Sequence, residues 1–288
     1  MTAQSKVDAI AKRHGGGGAM TTVGDMFRDP RILSAMEKLI PKHMSAEKLV
    51  QLAMQAVKGS RTLMECPPVS IVSGVLEAAT LGLYLDGVLG HAYLVPYKRG
   101  GQPIAQFQIG YRGMIDLACR SGHIEGVSAG VIREGDKYAP LDEAKPGFSH
   151  ERTGDDQRPM VATWALAYFA TSGRPTPPAI LLPYEIERVR KSSKAKSSDA
   201  PWTTHFDEMA KKTAIRRLLK YQRLSPEILT AVVRDEYREA GRRVQIDPGV
   251  EAILPEVGLD AGATQPDDDE PPIDVELPPY KSEPGANG

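Results

Sequence analysis

The spacing of the apolar residues changes near residue 90, from the period of helices to that of strands, and this change limits the folds that the chain can adopt. Before Gly82, apolar side chains recur every three or four residues, as in amphipathic helices. Between His91 and Ile109 they alternate with polar side chains, as in half-buried strands. The chain therefore combines helical segments with a β-hairpin.

Three helices are predicted before the hairpin. Asp29-Pro30 combines a capping residue with proline at the first helical position. Ser45 caps a second helix. A third extends from about Pro68 to Gly82, because glycine commonly ends a helix.

The hairpin has predicted strands over His91–Tyr97 and Ile104–Ile109, joined by a turn over Lys98–Gly101. The return strand has two distinct faces. Its apolar face carries Ala105, Phe107 and Ile109, and its polar face carries Gln102, Gln106 and Gln108. We expect the apolar face to enter the core and the glutamines to meet a polar partner.

The remainder of the body mixes both patterns. Strand signals lie at Ile124–Arg133, Met160–Ala170 and Ala179–Leu182, and helices begin at Tyr111, Pro183, Thr204 and Ser225. Thr204 and Asp207 have the spacing of a capping box, and the helix that they open is predicted to reach about Arg223.

Charge divides the chain into a basic body and an acidic tail. From residue 244 onward there are eleven acidic residues and one lysine, so the tail carries −10 and the first 243 residues carry +9. The tail is rich in proline and glycine, which predicts disorder over residues 244–288. The glycine-rich segment 1–20 is predicted to be a flexible leader, which leaves one domain over 21–243. A basic body favours a polyanionic partner.

The most basic part of the body lies between Glu187 and Arg223, which contains eleven basic and four acidic residues. Within it, Lys212, Arg216 and Lys220 are four residues apart and therefore align along one edge of a helix. A phosphate backbone would relieve the repulsion among these like charges. A solvated basic helix face is the alternative, since runs of charge are often plain surface.

Aromatic residues are interleaved with these basic segments, as in proteins that stack the bases of single strands. Tyr97 and Tyr111, which stand at the ends of elements, are the candidates for stacking. Tyr221 is assigned to the apolar stripe of the helix that begins near Thr204. Arg217 falls within the same stripe, so we expect it to pair with a buried acid.

Several chemistries lack their signatures. No G-x-x-x-x-G-K-[ST] phosphate-binding loop is present, which disfavours ATP-driven strand exchange. The six histidines are scattered without metal-ligand spacing. Cys66 and Cys119 stand alone, as expected of buried thiols in a reducing cell interior. No apolar run reaches membrane-spanning length, so no membrane partner is expected.

Three blocks of sequence resemble the RecT family of phage and prophage recombinases. They are Ala79–Leu83 with Leu89–Tyr97, then Gln106–Ala118, then Pro201-Trp202 with Glu208–Leu218. The order and spacing of the blocks also match. The resemblance extends over roughly residues 21–223, which is most of the predicted domain.

The resemblance implies that the protein is not an enzyme but anneals complementary single strands without hydrolysing a nucleotide. It implies no required cofactor, neither ATP nor a metal, with Mg²⁺ only modulating annealing. The implied partners are single-stranded DNA, the annealed duplex intermediate and further copies of the chain in a ring or helical filament. A 5′–3′ exonuclease and the host single-strand-binding protein are further expected partners. The implied location is the cytoplasm of a bacterial host, with the protein encoded by a phage or prophage.

The same resemblance implies an α+β fold with the core of single-strand annealing proteins, in which a small antiparallel β-sheet is flanked by helices and DNA lies in a groove. The residues expected to line it are the turn residues Lys98 and Arg99, then Gln106, Gln108 and Arg112, and the helix residues Lys211, Lys212, Arg216 and Lys220. Tyr97 and Tyr111 are expected to stack on bases.

Two other functions remain open at this point. One is a metal-dependent nuclease that uses acids such as Asp116, Glu185 and Glu187. The other is an adaptor that recruits a DNA-processing protein through its tail. In that tail, apolar residues stand among the acids, as in a docking peptide: Ile273, Val275, Leu277 and Tyr280.

Overall fold

The protein forms two compact units in a computed structural model that describes residues 22–87, 89–99, 101–139, 148–193, 200–242, 244 and 246–260. The helical unit contains the described residues up to Leu85, Leu94–Phe107 and those from Ile246 onward. The sheet unit contains Asp86–Tyr93 and the described residues from Gln108 to 244. Both units contain described residues of the predicted domain over 21–243. The predicted leader and residues 261–288 of the predicted tail lie outside the described residues.

The helical unit contains the three helices that the sequence predicts before the hairpin, with the predicted caps, and two further short helices. Its helices are α1 (Val23–Met26), α2 (Pro30–Leu39), α3 (Ala46–Lys58), α4 (Arg61–Met64) and α5 (Pro68–Leu81). The Asp29 carboxylate accepts the N–H of Arg31 at 2.8 Å, and the Ser45 hydroxyl accepts that of Lys48 at 3.2 Å. Gly82 ends α5 with a φ of 64°, a left-handed conformation that glycine adopts without strain.

Helix α5 is the centre of this unit. It packs against a hairpin of β1 (Ala92–Arg99) and β2 (Gln102–Ile109). A Cβ at Gly74 would lie 2.6 Å from Cδ2 of Leu94, so glycine lets the helix approach the hairpin closely. The Ser70 hydroxyl accepts the N–H of Ala105 at 3.2 Å.

The alternation predicted for β2 is confirmed, but the position of the turn is not. Ala105, Phe107 and Ile109 are buried, whereas Gln106 and Gln108 are half-buried. Lys98 and Arg99 are the last residues of β1 and do not form the turn. The connection is only two residues long, and Gly101 has a φ of 81°, which a tight hairpin turn requires and glycine provides.

The start predicted for the disordered tail, residue 244, is too early. Helix α11 (Pro248–Glu256) lies inside that segment and packs against α5, with Val250 and Leu254 fully buried. Asp247 caps it by accepting the N–H of Gly249 at 2.9 Å. Average composition conceals this helix, because its apolar residues at i and i+4 stand among the prolines and acids that dominate the tail.

The sheet unit is built on a three-stranded antiparallel sheet in the order β3-β6-β7, with strands β3 (Ile124–Arg133), β6 (Met160–Phe169) and β7 (Ala179–Leu181). A separate pair joins β4 (Lys137–Ala139) to β5 (Ser149–Glu151). The helices are α6 (Tyr111–Arg120), α7 (Pro183–Ser192), α8 (Pro201–Thr204), α9 (Phe206–Leu219) and α10 (Pro226–Glu239). No helix in the described ranges is long and apolar enough to cross a bilayer. The predicted α+β fold, with small antiparallel sheets flanked by helices, is confirmed.

Helix α9 packs against the central strand β6, where the fully buried side chains are small. Its predicted capping box is wrong. Thr204 belongs to α8 and donates its hydroxyl to the carbonyl of Ala200, while Asp207 forms an ion pair with Arg133 at 2.6 Å. The helix also ends at Leu219, four residues before the predicted end at Arg223.

The carboxylate of Asp136 is buried just before β4 and holds this part of the chain in place. Its burial was not predicted from the sequence. Asp136 lies 3.0 Å from Nε2 of His150 and 2.8 Å from Nη2 of Arg158. The hydrogen bond with His150, together with the backbone N–H of Arg133, lowers the pKa of Asp136 well below its usual range. Nδ1 of His150 accepts the indole N–H of Trp164 at 3.0 Å, which joins this network to β6.

The two cysteines differ in burial. Cys66 is buried, as expected, and burial raises the pKa of its thiol to about 11. Cys119 is only half-buried, so the expectation of two buried thiols is wrong for this residue.

Glycines bring two backbone segments of the sheet unit into direct contact. The N–H of Gly110 donates to the carbonyl of His91 at 2.9 Å. A Cβ at Gly110 would overlap the carbonyl oxygen of Gly90, and one at Gly113 would overlap that of His91. The first turn of α6 therefore rests on the chain at residues 90–91, with no space for a side chain between them.

We predict that Gly113→Ala destabilises the protein. Alanine within a helix ordinarily stabilises it by about 1 kcal/mol relative to glycine. Here the overlap with the His91 carbonyl forces the backbone apart, at a cost of about 1–3 kcal/mol. Urea unfolding measures the change. Gly126→Ala is the control, because a Cβ there would have no atom within 4 Å. A Gly113→Ala protein as stable as the wild type would contradict the packing described.

Candidate nucleic-acid interface

The residues predicted to contact DNA divide between the two units. In the helical unit Lys98 is exposed, Tyr97 and Gln106 are half-buried, and Arg99 ends β1. The remaining predicted residues lie in the sheet unit: Gln108, Tyr111, Arg112, Lys211, Lys212, Arg216 and Lys220. The structure does not test whether any of them binds DNA, but it separates those that are accessible from those that are not.

The first accessible group stands at the start of α6 and consists of Tyr93, Tyr111 and Arg112, which we name the Tyr111–Arg112 cluster. The exposed Arg112 donates its Nε–H to the Tyr111 hydroxyl at 3.3 Å, and its Cζ lies 5.9 Å from the centre of the Tyr111 ring. This hydrogen bond, with a smaller contribution from the Glu208 carboxylate, raises the pKa of Arg112. The cluster thus presents aromatic surface beside a fixed positive charge.

Gly90 makes room for this cluster. A Cβ there would lie 3.0 Å from the Tyr93 hydroxyl and 3.6 Å from Cδ of Arg112. Lys211, on α9, forms an ion pair with Glu208 one turn earlier in its own helix. Arg112 is therefore the cation of this region that has no ion pair of its own among the described residues.

Lys212 and Arg216 do not form an exposed basic stripe, and this part of the prediction is wrong. Their side chains are 9% and 3% exposed. Nζ of Lys212 lies 3.0 Å from Oδ2 of Asp235, and Nη2 of Arg216 lies 2.8 Å from the same oxygen. Glu239 lies 3.4 Å from Lys212 and 2.6 Å from Arg216. The two cations of α9 therefore face the two carboxylates of α10. Buried in these ion pairs, they are not available to a phosphate.

The four-charge network is also tied to the neighbouring backbone and side chains. Asp235 accepts the N–H of Ile109, the last residue of β2, at 2.7 Å. Glu239 accepts the indole N–H of Trp202 at 3.2 Å. Burial alone would raise the pKa of Glu239, but the charges of Arg216 and Lys212 outweigh it and lower that pKa to about 2.

A signal for this pairing was present in the sequence. Asp235 and Glu239 are four residues apart on α10, as Lys212 and Arg216 are on α9. Matching i, i+4 pairs of opposite charge on consecutive helices indicate an interhelical network as well as they indicate a DNA-binding stripe. The spacing alone does not distinguish the two.

A second accessible region surrounds a pocket of about 380 Å³ between α7, α9 and α10. Lys220, the last member of the predicted stripe, lines it and forms an ion pair with Glu236. Arg217 lines it too and pairs with Glu185 at 2.9 Å. Arg217 therefore has an acid partner, but Glu185 is half-buried and not buried as expected, and the arginine side chain is 40% exposed.

Two exposed tyrosines belong to this region, one lining the pocket and one on α7 beside the lining residue Glu185, and the sequence did not identify either as a site residue. Tyr221 lines the pocket and is 79% exposed, because α9 ends at Leu219 and leaves this tyrosine outside the apolar stripe. Tyr184, on α7, is 64% exposed, and Cζ of Arg188 lies 5.9 Å from the centre of its ring. We name the region of Tyr184, Arg188, Arg217, Lys220 and Tyr221 the Tyr221 pocket.

The acids considered for a nuclease are each held in an ion pair. Asp116 pairs with Arg120 at 3.0 Å, Glu185 with Arg217, and Glu187 with Arg190 at 3.4 Å. Glu185 also caps α7 by accepting the N–H of Leu182. Within the described ranges, no group of three or more His, Cys, Asp or Glu residues is arranged to hold a metal ion.

We predict that Arg216→Ala lowers the free energy of unfolding by about 3–5 kcal/mol, since it leaves buried carboxylates without their main counterion. Lys220→Ala, which removes a half-exposed partner, should cost about 1 kcal/mol or less. Urea unfolding of both variants makes the comparison. Similar small losses in the two would mean that Arg216 is not part of a buried network.

The lowered pKa of Glu239 predicts a pH dependence of stability. Its carboxylate titrates at about 2 in the folded protein and at about 4.3 in an unfolded chain. Its stabilising effect is therefore complete above about pH 5 and is lost as the pH falls toward 2. Glu239→Gln removes this effect, so the stability difference between wild type and variant should narrow over that range. A difference that stays constant from pH 7 to pH 3 would contradict the assignment.

Comparison with known proteins identifies the family to which this architecture belongs. The sequence model of the RecT family matches residues 47–248. Protein RecT of Escherichia coli (strain K12) is 38% identical over 235 residues, which cover 79% of this chain and 84% of that protein. The uncharacterized protein YqaK of Bacillus subtilis (strain 168) is 31% identical over 267 residues, or 91% of this chain and 87% of YqaK. The chain belongs to the RecT family.

Proposed function

We propose that the protein binds single-stranded DNA and anneals complementary strands without ATP. Membership of the RecT family supports a role in DNA recombination by strand annealing. The observation that carries the finer proposal is the pairing of two tyrosines with exposed arginines, the half-buried Tyr111 with Arg112 and the exposed Tyr184 with Arg188. A base stacks on such a ring while the guanidinium contacts a phosphate, a combination that suits an unpaired strand of any sequence.

Annealing requires that the charge of the phosphate backbone be neutralised and that the strand be held with its bases free to pair. Contacts to phosphate and sugar position a strand without reading its sequence. The exposed Lys98 and Arg112 supply charge, and the half-buried Gln106 and Gln108 of β2 supply hydrogen-bonding groups. We propose that these residues, with Arg99, hold the strand backbone. Lys212 and Arg216 do not contact the strand and instead stabilise the fold through their buried ion pairs.

The proposed partners follow from the family. We propose that copies of the chain assemble along the strand, as a ring or helical filament. A 5′–3′ exonuclease would supply the single strands, and a host single-strand-binding protein would cover them beforehand. We place this activity in the bacterial cytoplasm, with no resident cofactor and with Mg²⁺ acting only on the rate of annealing.

An annealing assay separates this function from a nuclease. Two complementary oligonucleotides, one with a fluorophore and the other with a quencher, are mixed with the protein in EDTA without nucleotide. We expect annealing faster than the spontaneous rate and full-length strands on a denaturing gel, with or without Mg²⁺. Shortened strands that appear only with Mg²⁺ would favour the nuclease. Failure to anneal in EDTA, with intact strands, would contradict the proposal.

We predict that Arg112→Ala weakens binding of single-stranded DNA about equally for different sequences and lowers the slope of log affinity against log salt by about 0.7. The reason is the loss of one phosphate contact from an exposed guanidinium. Arg120→Ala is the matched control, since Arg120 lies in the same helix and forms an ion pair with Asp116. An unchanged slope in Arg112→Ala would remove this residue from the interface.

A further inference from the structure

We propose that the Tyr221 pocket is a separate binding site for one nucleotide of single-stranded DNA. The base stacks on Tyr221, and the adjoining phosphate is bound by Arg188, Arg217 and Lys220. None of these residues except Lys220 belongs to the set predicted from the sequence. The proposal rests on the proposed function, because it requires that the protein bind single strands.

The exposure of the tyrosines is the first argument. Tyr221 is 79% exposed and Tyr184 64%, so neither contributes much to the core. Their rings are accessible to a base, as stacking requires. Both tyrosines accompany basic residues within one unit, on α7 and just after α9.

The charges around the pocket are the second argument. Two of its cations already bind an anionic oxygen, since Arg217 pairs with Glu185 and Lys220 pairs with Glu236. These carboxylates occupy the place that phosphate oxygens would take, because arginine and lysine bind both groups through the same N–H donors. The two glutamates offset part of the positive charge of the pocket without DNA, and a phosphate would compete with them.

Arg188 differs from Arg217 and Lys220. Among the described residues it makes no ion pair, and it contacts the Tyr184 ring instead. It is exposed and lines the pocket, so its charge is available to a phosphate without displacing an acid. Arg188 can therefore bind a phosphate directly, whereas Arg217 and Lys220 bind one after releasing their carboxylates.

The size and form of the pocket select the ligand. A volume of about 380 Å³ lies near the lower end of the range for small-ligand sites, as a single nucleotide requires. The bases of a duplex are already stacked and paired, so Tyr221 could not reach their faces. The site should therefore prefer an unpaired strand to a duplex.

The substitution Glu236→Gln gives the sharpest test, because it predicts a gain that misfolding cannot mimic. It removes the carboxylate that competes with DNA for Lys220. Binding of a fluorescein-labelled oligo(dT), followed by anisotropy, should become several-fold tighter, and the slope of log affinity against log salt should steepen by about 0.7. Unchanged or weaker binding by Glu236→Gln would overturn the exchange of partners.

Substitutions of Tyr221 test stacking. Tyr221→Ala should weaken binding about tenfold, and Tyr221→Phe, which keeps the ring, should bind as the wild type does. Tyr138→Ala is the control, an exposed tyrosine on β4 that does not line the pocket. A 2-aminopurine base within the oligo(dT) should be quenched by the wild type and less so by Tyr221→Ala. Equal affinity and equal quenching in all four proteins would overturn the site.

These outcomes are distinguishable from failure of the proposed function. If the wild type does not bind oligo(dT) at all, the proposed function fails. If it binds and anneals while Glu236→Gln and Tyr221→Ala behave as the wild type, only the Tyr221 pocket is lost. If Tyr221→Ala impairs duplex binding as much as single-strand binding, the site is a general anion patch and the stacking proposal is wrong.

Discussion

The sheet unit depends on four charges that have been removed from water together. Lys212 and Arg216 cannot be buried without Asp235 and Glu239, since a single uncompensated charge in an interior costs several kcal/mol. The network fixes how α9 lies against α10, and it extends to the backbone of Ile109 and the indole of Trp202. Lys212 and Arg216, whose spacing suggests a DNA contact, instead stabilise the packing of the helices that carry the exposed residues.

Close backbone contact fixes the position of α6 beside the Tyr111–Arg112 cluster. Gly110 and Gly113 allow α6 to rest on residues 90–91, and Gly90 leaves space for Tyr93 and Arg112. These glycines lie in the blocks of sequence that resemble the RecT family. Their presence there has a physical reason, because any side chain would separate the two segments or displace the exposed tyrosine and arginine.

Sequence patterns predicted most elements of the fold because their signals are local. The bounds of β3 and α6 agree with the prediction, since glycines and polar residues stand at both ends. Helix α11 was missed because its few apolar residues are diluted by an acidic segment. Tyr221 was assigned to the core because a helical repeat was continued two residues beyond the true end of α9.

The candidate interface was predicted less completely, because accessibility is a property of the folded chain. A lysine at helical spacing has the same local signature whether it faces solvent or a carboxylate on the next helix. Arg112 was identified through its sequence block and is exposed, whereas Lys212 and Arg216 were identified by their spacing and are buried. Arg188 has no distinctive spacing and becomes notable only beside Tyr184 and the pocket.

Cross-linking tests most directly the central claim that neighbouring tyrosine and arginine side chains hold the single strand. A strand containing 5-bromodeoxyuridine is irradiated in complex with the wild-type protein, and the cross-linked peptides are identified by mass spectrometry. The account predicts cross-links at Tyr111 and at Tyr184 or Tyr221, and none at the side chains of Lys212 and Arg216. Cross-links confined to α10 or α11, with none at these tyrosines, would contradict it.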